Sequence, residues 1–95
     1  AANEATKEAV KDSVKDANFA ADFLNLASED DDPKTYLTAL RKVVEARGGF
    51  ASTAEKAQVS RETLYRTLSV RGNPTIKTLN AVLKATGLKF CVTAP

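Results

Sequence analysis

The sequence predicts a mainly α-helical fold with helices at its N-terminus and one β-strand at its C-terminus. Apolar residues recur every three or four positions along most of the 95 residues, which is the period of a helix with one buried face. Residues that favour helix N-termini precede these stretches, and glycines follow several of them, so the ends of the helices are marked as well. Only residues 88–93 alternate apolar with other side chains, which is the pattern of a strand.

Composition excludes several classes of protein. Hydrophobic residues make up 43% and charged residues 27% of the chain, which is typical of one small globular domain. No uncharged stretch approaches the roughly 20 residues that cross a bilayer, so a membrane-spanning protein is excluded. The single cysteine, Cys91, cannot form an internal disulfide, and this favours the reducing cytoplasm as the location.

Histidine is absent from the sequence, and it is the residue that most often serves as a general base or a metal ligand. The sequence also lacks a glycine-rich phosphate loop and any cluster of residues with metal-ligand spacing. We therefore expect no enzymatic activity, no catalytic residue, no metal site, no cofactor and no small-molecule substrate.

Charge is divided unevenly along the chain. Residues 1–32 contain three basic and nine acidic residues, a net charge of −6, whereas residues 33–95 contain eleven basic and three acidic residues, a net charge of +8. An acidic segment joined to a basic domain suggests one cationic and one anionic partner. A solvated helical surface with chance segregation of charge explains the division equally well. We expect an acidic N-terminal helical segment over residues 1–32.

Two helices are expected in this acidic segment. Residues 4–15 alternate charged with small residues, and only Val10 and Val14 form an apolar pair, so this helix is expected to be frayed or partner-dependent. Asp16 is expected to cap a second helix. The apolar side chains that share a face of that helix are Phe19, Phe23, Leu24 and Ala27.

The basic domain begins with a clear helix start. Asp32-Pro33 combines an N-cap residue with proline at the first helical position, and Gly48-Gly49 is expected to end that helix. A short helix is expected to begin at Ala51 or Ser52 and to end near Ala57. Ser60 is expected to cap the next one.

The C-terminal part is expected to contain one more helix and then the strand. Asn73-Pro74 repeats the cap-plus-proline signal, and Gly87 is expected to end the helix that follows. In the strand over residues 88–93, one face would hold Leu88, Phe90 and Val92. A lone strand leaves its backbone hydrogen-bonding groups unpaired, and the simplest partner is the same strand of a second copy. We therefore expect a homodimer.

Residues 52–69 describe two short helices joined by a tight turn, the second of them basic, which predicts a helix-turn-helix that binds DNA. Ala54 is small where the two helices would cross, Val59 would fill the turn, and Leu64 would pack the second helix onto the first. Arginine can bridge a guanine edge, and tyrosine or serine can bond phosphate.

The candidate DNA-binding residues are the polar and charged side chains of this helix pair and of the loop and helix start that follow. They are Ser52, Thr53, Ser60, Arg61, Glu62, Thr63, Tyr65, Arg66, Arg71, Asn73, Thr75 and Lys77. Alternatives remain for some of them. Arg61 and Arg66 would also suit a solvated face with a Glu62–Arg66 ion pair. Tyr65 would suit partial burial, and Asn73 simple helix capping.

Seven short blocks of the sequence carry a resemblance to a known family. They are residues 19–24 (FAADFL), 32–33 (DP), 36–40 (YLTAL), 46–49 (ARGG), 59–65 (VSRETLY), 72–75 (GNPT) and 87–89 (GLK). Through these blocks, from about residue 16 to residue 92, the chain resembles the HigA-like addiction-module antidote proteins, bacterial antitoxins with an Xre/Cro-type, lambda-repressor-like helix-turn-helix. Gln58 stands where these turns usually have glycine, and glutamine tolerates a left-handed backbone poorly. Thr53 stands where an apolar residue is usual.

The resemblance implies an antitoxin that, as a homodimer, represses its own operon and neutralises a RelE/HigB-like ribonuclease toxin. It implies a helix-turn-helix DNA-binding domain over residues 33–95. The acidic segment is the expected toxin-binding surface, through Phe19, Asp22, Phe23 and Leu24. Phe19, Phe23 and Leu24 could instead pack on the helix that begins at Pro33. Other functional readings are a stand-alone Xre-type transcriptional regulator without a toxin, and an interaction protein whose basic helix binds an acidic partner.

Overall fold

The computed structural model describes residues 16–92 and 94. This part of the chain confirms the mainly helical class, and the expected helix over residues 4–15 lies outside it. None of its helices is long and apolar enough to cross a membrane. The helices are α1 (Ala17–Ala27), α2 (Pro33–Ala46), α3 (Gly49–Ala57), α4 (Arg61–Thr67) and α5 (Ile76–Ala85).

Three of the predicted N-caps are confirmed by side-chain hydrogen bonds. The Asp16 carboxylate accepts from the backbone N–H groups of Asn18 at 2.8 Å and Phe19 at 3.1 Å. The carboxylate of Asp32 accepts from the N–H of the second helical residue at 3.0 Å, immediately after the proline. The Ser60 hydroxyl accepts from Thr63 N–H at 3.0 Å. Each cap satisfies a backbone donor that the first helical turn leaves without a partner.

The predicted start of the last helix is wrong, because Thr75 rather than Asn73 is the N-cap. The Thr75 hydroxyl accepts from Thr78 N–H at 3.1 Å. Residues 69–72 first form a turn against the end of α4, closed by the Gly72 N–H donating to the Ser69 carbonyl at 2.8 Å. The chain therefore needs residues 73–75 to leave that turn before α5 begins. In α3 the start is also earlier than predicted, at Gly49.

The helices share one apolar core. α3 packs against α2, α4 and α5, and α1 packs against α2. Ala20 and Leu24 of α1 are 0% and 4% exposed, so the acidic segment contributes to the same core as the basic domain. The other buried apolar residues are Leu37, Ala39, Leu40, Val43, Val44, Phe50, Ala54, Leu64, Leu68, Val82 and Leu83.

The predicted strand over residues 88–93 is not seen: residues 88–92, the described part, form no strand in the single chain. A strand needs a neighbouring edge to pair with, and the described residues provide none. The Leu88 N–H instead donates to the Leu83 carbonyl at 2.8 Å, which closes the end of α5. Leu88 packs against the core, whereas Phe90 and Val92 are exposed. The homodimer stays a prediction.

Arg47 connects the ends of α2 and α5. Its Nε–H donates to the Thr86 carbonyl at 2.6 Å. A guanidinium is well suited to this place, because the C-terminal carbonyls of a helix carry partial negative charge. Gly87 follows with a φ of +84°, and it ends α5 as predicted. A Cβ at this glycine would lie 3.0 Å from Arg47 Nη2, so the contact favours a residue without a side chain.

Two buried threonines are expected to respond in opposite ways to replacement by valine. Thr53 is 1% exposed, and its hydroxyl has no hydrogen-bond partner among the described residues. Thr86 is 2% exposed, and its hydroxyl donates to the Leu83 carbonyl at 2.8 Å. We expect Thr53→Val to raise the free energy of unfolding by about 1 kcal/mol and Thr86→Val to lower it by about as much.

Urea unfolding followed by circular dichroism would measure both changes. A loss of stability in Thr53→Val similar to that in Thr86→Val would contradict the assignment of an unpaired hydroxyl.

Candidate nucleic-acid interface

The two helices predicted over residues 52–69 are α3 and α4, and residues 58–60 join them. Gln58 adopts the left-handed conformation, with φ 60° and ψ 42°, that a glycine would favour in this turn. The Val59 N–H donates to the Ala54 carbonyl at 3.0 Å and closes the end of α3. The departure from glycine therefore leaves the geometry of the turn intact and instead places backbone strain on Gln58.

Side chains predicted to hold the pair together lie in the core. Ala54 is 2% exposed and Leu64 is fully buried, while Val59 packs against the core from the turn. Their burial fixes which face of α4 points to solvent. The arrangement fits a helix-turn-helix.

The exposed face of α4 is basic. Its exposed side chains are those of Arg61, Glu62, Tyr65 and Arg66. The ion pair between Glu62 and Arg66, which the alternative interpretation of this face requires, is not formed, since no nitrogen–oxygen distance within 4.0 Å joins them. Within residues 16–92 and 94, the guanidinium groups of both arginines have no protein partner. They are available to an anionic ligand.

Tyr65 is partly exposed and packs against the ring of Phe50, a contact that the sequence did not predict. Its ring is stacked on the ring of Phe50, with centroids 4.1 Å apart and planes 3° from parallel. Phe50 is 6% exposed, whereas Tyr65 is 47% exposed. The two residues are far apart in the chain, and no periodicity links them. The only sequence signal is that Phe50 is an aromatic residue directly after the glycine pair.

A second group of candidate residues lies in and after the loop between α4 and α5. Arg71, Asn73, Thr75 and Lys77 are all exposed. The loop is held against the end of α4 at Gly72, where a Cβ would collide with the carbonyl oxygen of Thr67. This close approach places the flanking Arg71 next to the C-terminal end of α4.

Three predicted DNA-binding residues are not on the exposed surface. Thr53 lies in the core. Ser52 and Thr63 are half-buried, and the Ser60 hydroxyl donates to Thr63 Oγ1 at 2.8 Å. Thr63 therefore supports the cap of α4. Thr75 similarly uses its hydroxyl to cap α5.

The expected toxin-binding residues of α1 are divided between core and surface. Leu24 is buried, Phe23 is half-buried and Phe19 is 40% exposed. The rings of Phe19 and Phe23 are stacked with centroids 6.4 Å apart. Asp22 is exposed. The packing interpretation is thus confirmed for Phe23 and Leu24, because α1 packs on α2. Toxin binding by α1 stays a prediction.

A groove of about 380 Å³ lies between α1 and α2 beside the Phe23 ring. Leu26, which sequence reasoning did not single out, is 68% exposed at this groove. Tyr36 of α2 is half-buried, and burial raises the pKa of its phenol above the ordinary value of 10.0. The residues that line the groove are Phe23, Leu26, Ala27, Lys34, Thr35, Thr38, Ala39 and Lys42.

Comparison with known proteins gives a family match over almost the whole chain. Residues 4–94 match the family described as "Probable addiction module antidote protein". An uncharacterized protein of Haemophilus influenzae is 40% identical over 70 residues, which cover 74% of this chain and 71% of that protein. No solved structure gives a significant match.

Replacement of Gln58 by glycine is expected to stabilise the protein. Glycine adopts a φ of 60° without the steric cost that a side chain brings. Glycine also has the greater entropy in the unfolded chain, which offsets part of this gain, so we expect the free energy of unfolding to rise by about 0.5–1 kcal/mol. Thermal unfolding would measure the change.

Lys56→Gly is the matched control, because Lys56 is exposed in the last turn of α3 with ordinary helical geometry. The Lys56→Gly variant should have a free energy of unfolding about 1 kcal/mol lower than the wild-type protein. A loss of stability in Gln58→Gly as large as in the control would show that the turn does not adopt this geometry in solution.

Proposed function

The chain belongs to the family of probable addiction module antidote proteins, and from that premise we propose that it is the antitoxin of a type II toxin–antitoxin module that represses its own operon. In this proposal one surface binds operator DNA and another binds a RelE/HigB-like ribonuclease toxin. The single observation that carries the DNA-binding part is the exposed basic face of α4, with Arg61 and Arg66 free of protein partners among the described residues.

The DNA-binding surface is proposed to consist of α4 and the loop that follows it. Arg61 and Arg66 would reach base edges in the major groove, since arginine can bond the O6 and N7 atoms of guanine. Arg71 and Lys77 would contact phosphates. The net charge of +8 over residues 33–95 supports attraction to a polyanion.

The remaining exposed candidates complete this proposed surface. They are Ser60, Glu62, Tyr65, Asn73 and Thr75. As a homodimer the protein would place two copies of α4 in successive major grooves. We therefore expect the operator to be an inverted repeat with half-site centres about one helical turn, ~10 base pairs, or a multiple of that apart.

The toxin-binding surface is proposed to be the exposed side of α1 and the acidic residues beside it. A ribonuclease that approaches RNA at the ribosome is expected to be cationic, and the −6 charge of residues 1–32 is complementary to it. Complementary charge mainly speeds association, whereas buried aromatic side chains supply most of the affinity. Phe19, stacked on Phe23, is the exposed aromatic side chain of α1.

The cytoplasm is the proposed location, since the single thiol of Cys91 is exposed and DNA is the proposed ligand. The second candidate function is a stand-alone Xre-type regulator without a toxin partner, because the exposed basic face of α4 could bind DNA without any toxin. Purification of the native complex from its host would decide between the two. If the protein is an antitoxin, we expect a small basic protein to co-purify with it.

Arg61 and Lys77 are expected to differ in the kind of contact they make. We expect Arg61→Ala to lose about 1–3 kcal/mol of affinity for the operator and much less for scrambled DNA, because the arginine would read a base. Lys77→Ala should weaken binding to operator and scrambled DNA alike and reduce the dependence of affinity on salt concentration. Equal losses on both DNAs for Arg61→Ala would contradict base readout by Arg61.

Phe19→Ala is expected to weaken toxin binding at least tenfold while leaving operator binding unchanged, because it removes an exposed aromatic anchor. Ile76→Ala is the matched control, since Ile76 is an exposed apolar residue, 74% exposed, at the start of α5. Point variants are preferable to removal of α1, because that deletion would take Ala20 and Leu24 out of the core.

Rescue of growth in cells that express the toxin would measure neutralisation. Full rescue by Phe19→Ala, equal to that by Ile76→Ala, would show that the toxin docks elsewhere.

A further inference from the structure

The stacked pair of Phe50 and Tyr65 joins the core to the exposed face of α4. Phe50 is the second residue of α3 and is 6% exposed. One face of the Tyr65 ring is covered by the Phe50 ring at a centroid distance of 4.1 Å. The rest of Tyr65 is open to solvent, since the residue is 47% exposed.

This stack restricts the orientation of an exposed side chain. A tyrosine on a helix surface can normally occupy more than one rotamer, and binding then costs the entropy of selecting one. The Phe50 ring also blocks the rotamers of Tyr65 that would pass through its place. Contact with Phe50 therefore holds the Tyr65 ring in one direction before any ligand arrives.

Tyr65 also lies in the right place to meet a base. It follows Arg61 by four residues, so the two side chains share one face of α4, and Arg66 is adjacent. Its hydroxyl has no hydrogen-bond partner among residues 16–92 and 94. The free parts of the side chain are thus an apolar ring and a polar tip.

We propose that the ring of Tyr65 contacts the 5-methyl group of a thymine in the major groove, and that Phe50 is the positioning residue that holds the ring for this contact. The inference rests on the proposed function, because it requires that α4 bind DNA. It assigns to the recognition surface an apolar contact with thymine beside the arginine contacts with guanine.

A fixed ring suits a methyl contact better than a phosphate contact. Van der Waals attraction falls by a quarter to a half when a gap of about 0.5–1 Å opens, so a methyl group is recognised well only by a surface that is already in place. A phosphate can be reached by a mobile hydroxyl, and that contact would gain little from the stack. The restriction of the ring by Phe50 therefore favours the methyl group as the ligand.

The test uses the full chain and the DNA duplex that it enriches from a random library. Each thymine of that duplex is replaced in turn by uracil, which removes only the 5-methyl group, and the ratio of the two Kd values is measured. For the wild-type protein we expect one thymine in each half-site whose replacement weakens binding about fourfold, the worth of one buried methyl group.

Four variants separate the contributions. Tyr65→Ala should bring the ratio at that thymine to about one, and Tyr65→Phe should keep it, because the ring and its stack remain. Phe50→Leu should lower the ratio without abolishing DNA binding. Val44→Ala, a substitution in the core of α2, is the control for lost stability and should keep the wild-type ratio.

Each outcome decides the inference. Loss of the ratio in Tyr65→Phe would assign the contact to the hydroxyl and overturn it, as would a wild-type ratio that persists in Tyr65→Ala. Loss of the ratio in Val44→Ala as well as in Phe50→Leu would remove the positioning role of Phe50. Failure to enrich any duplex would overturn the proposed DNA binding and this inference with it, whereas an enriched duplex without a sensitive thymine overturns the inference alone.

Discussion

The packing of α4 onto the core is the interaction on which the proposed DNA-binding surface depends. With seven residues, α4 is too short to be stable as an isolated helix. Leu64 and Leu68, both fully buried, hold it against the rest of the fold, and the Ser60 cap satisfies a donor of its first turn. The exposed arginines of α4 keep their direction because the opposite side of the helix is buried.

The segments on either side of α4 contain conformations that are costly or restrictive in isolation. Gln58 has a positive φ before the helix, and Gly72 approaches the Thr67 carbonyl after it too closely for any side chain. Thr53 adds a buried hydroxyl without a partner among the described residues. The conformations at Gln58 and Gly72 set the geometry of the turn before α4 and of the loop after it. Packing of the core must offset their cost.

α1 has one side in the core and one side exposed to solvent. Ala20 and Leu24 face the core, whereas Phe19 and Leu26 are exposed. In the proposed function, Phe19 and Leu26 are apolar side chains of α1 that a toxin could cover.

The sequence by itself determined the helical class and the caps at Asp16, Asp32 and Ser60, because these depend on hydrogen bonds between residues two or three apart. Tertiary structure decided the rest. A strand at residues 88–93 required a paired edge, and the choice of Thr75 as a cap followed from the turn packed against α4. The burial of Thr53 and the stack of Phe50 on Tyr65 arise from contacts between separate helices, whose geometry no local pattern specifies.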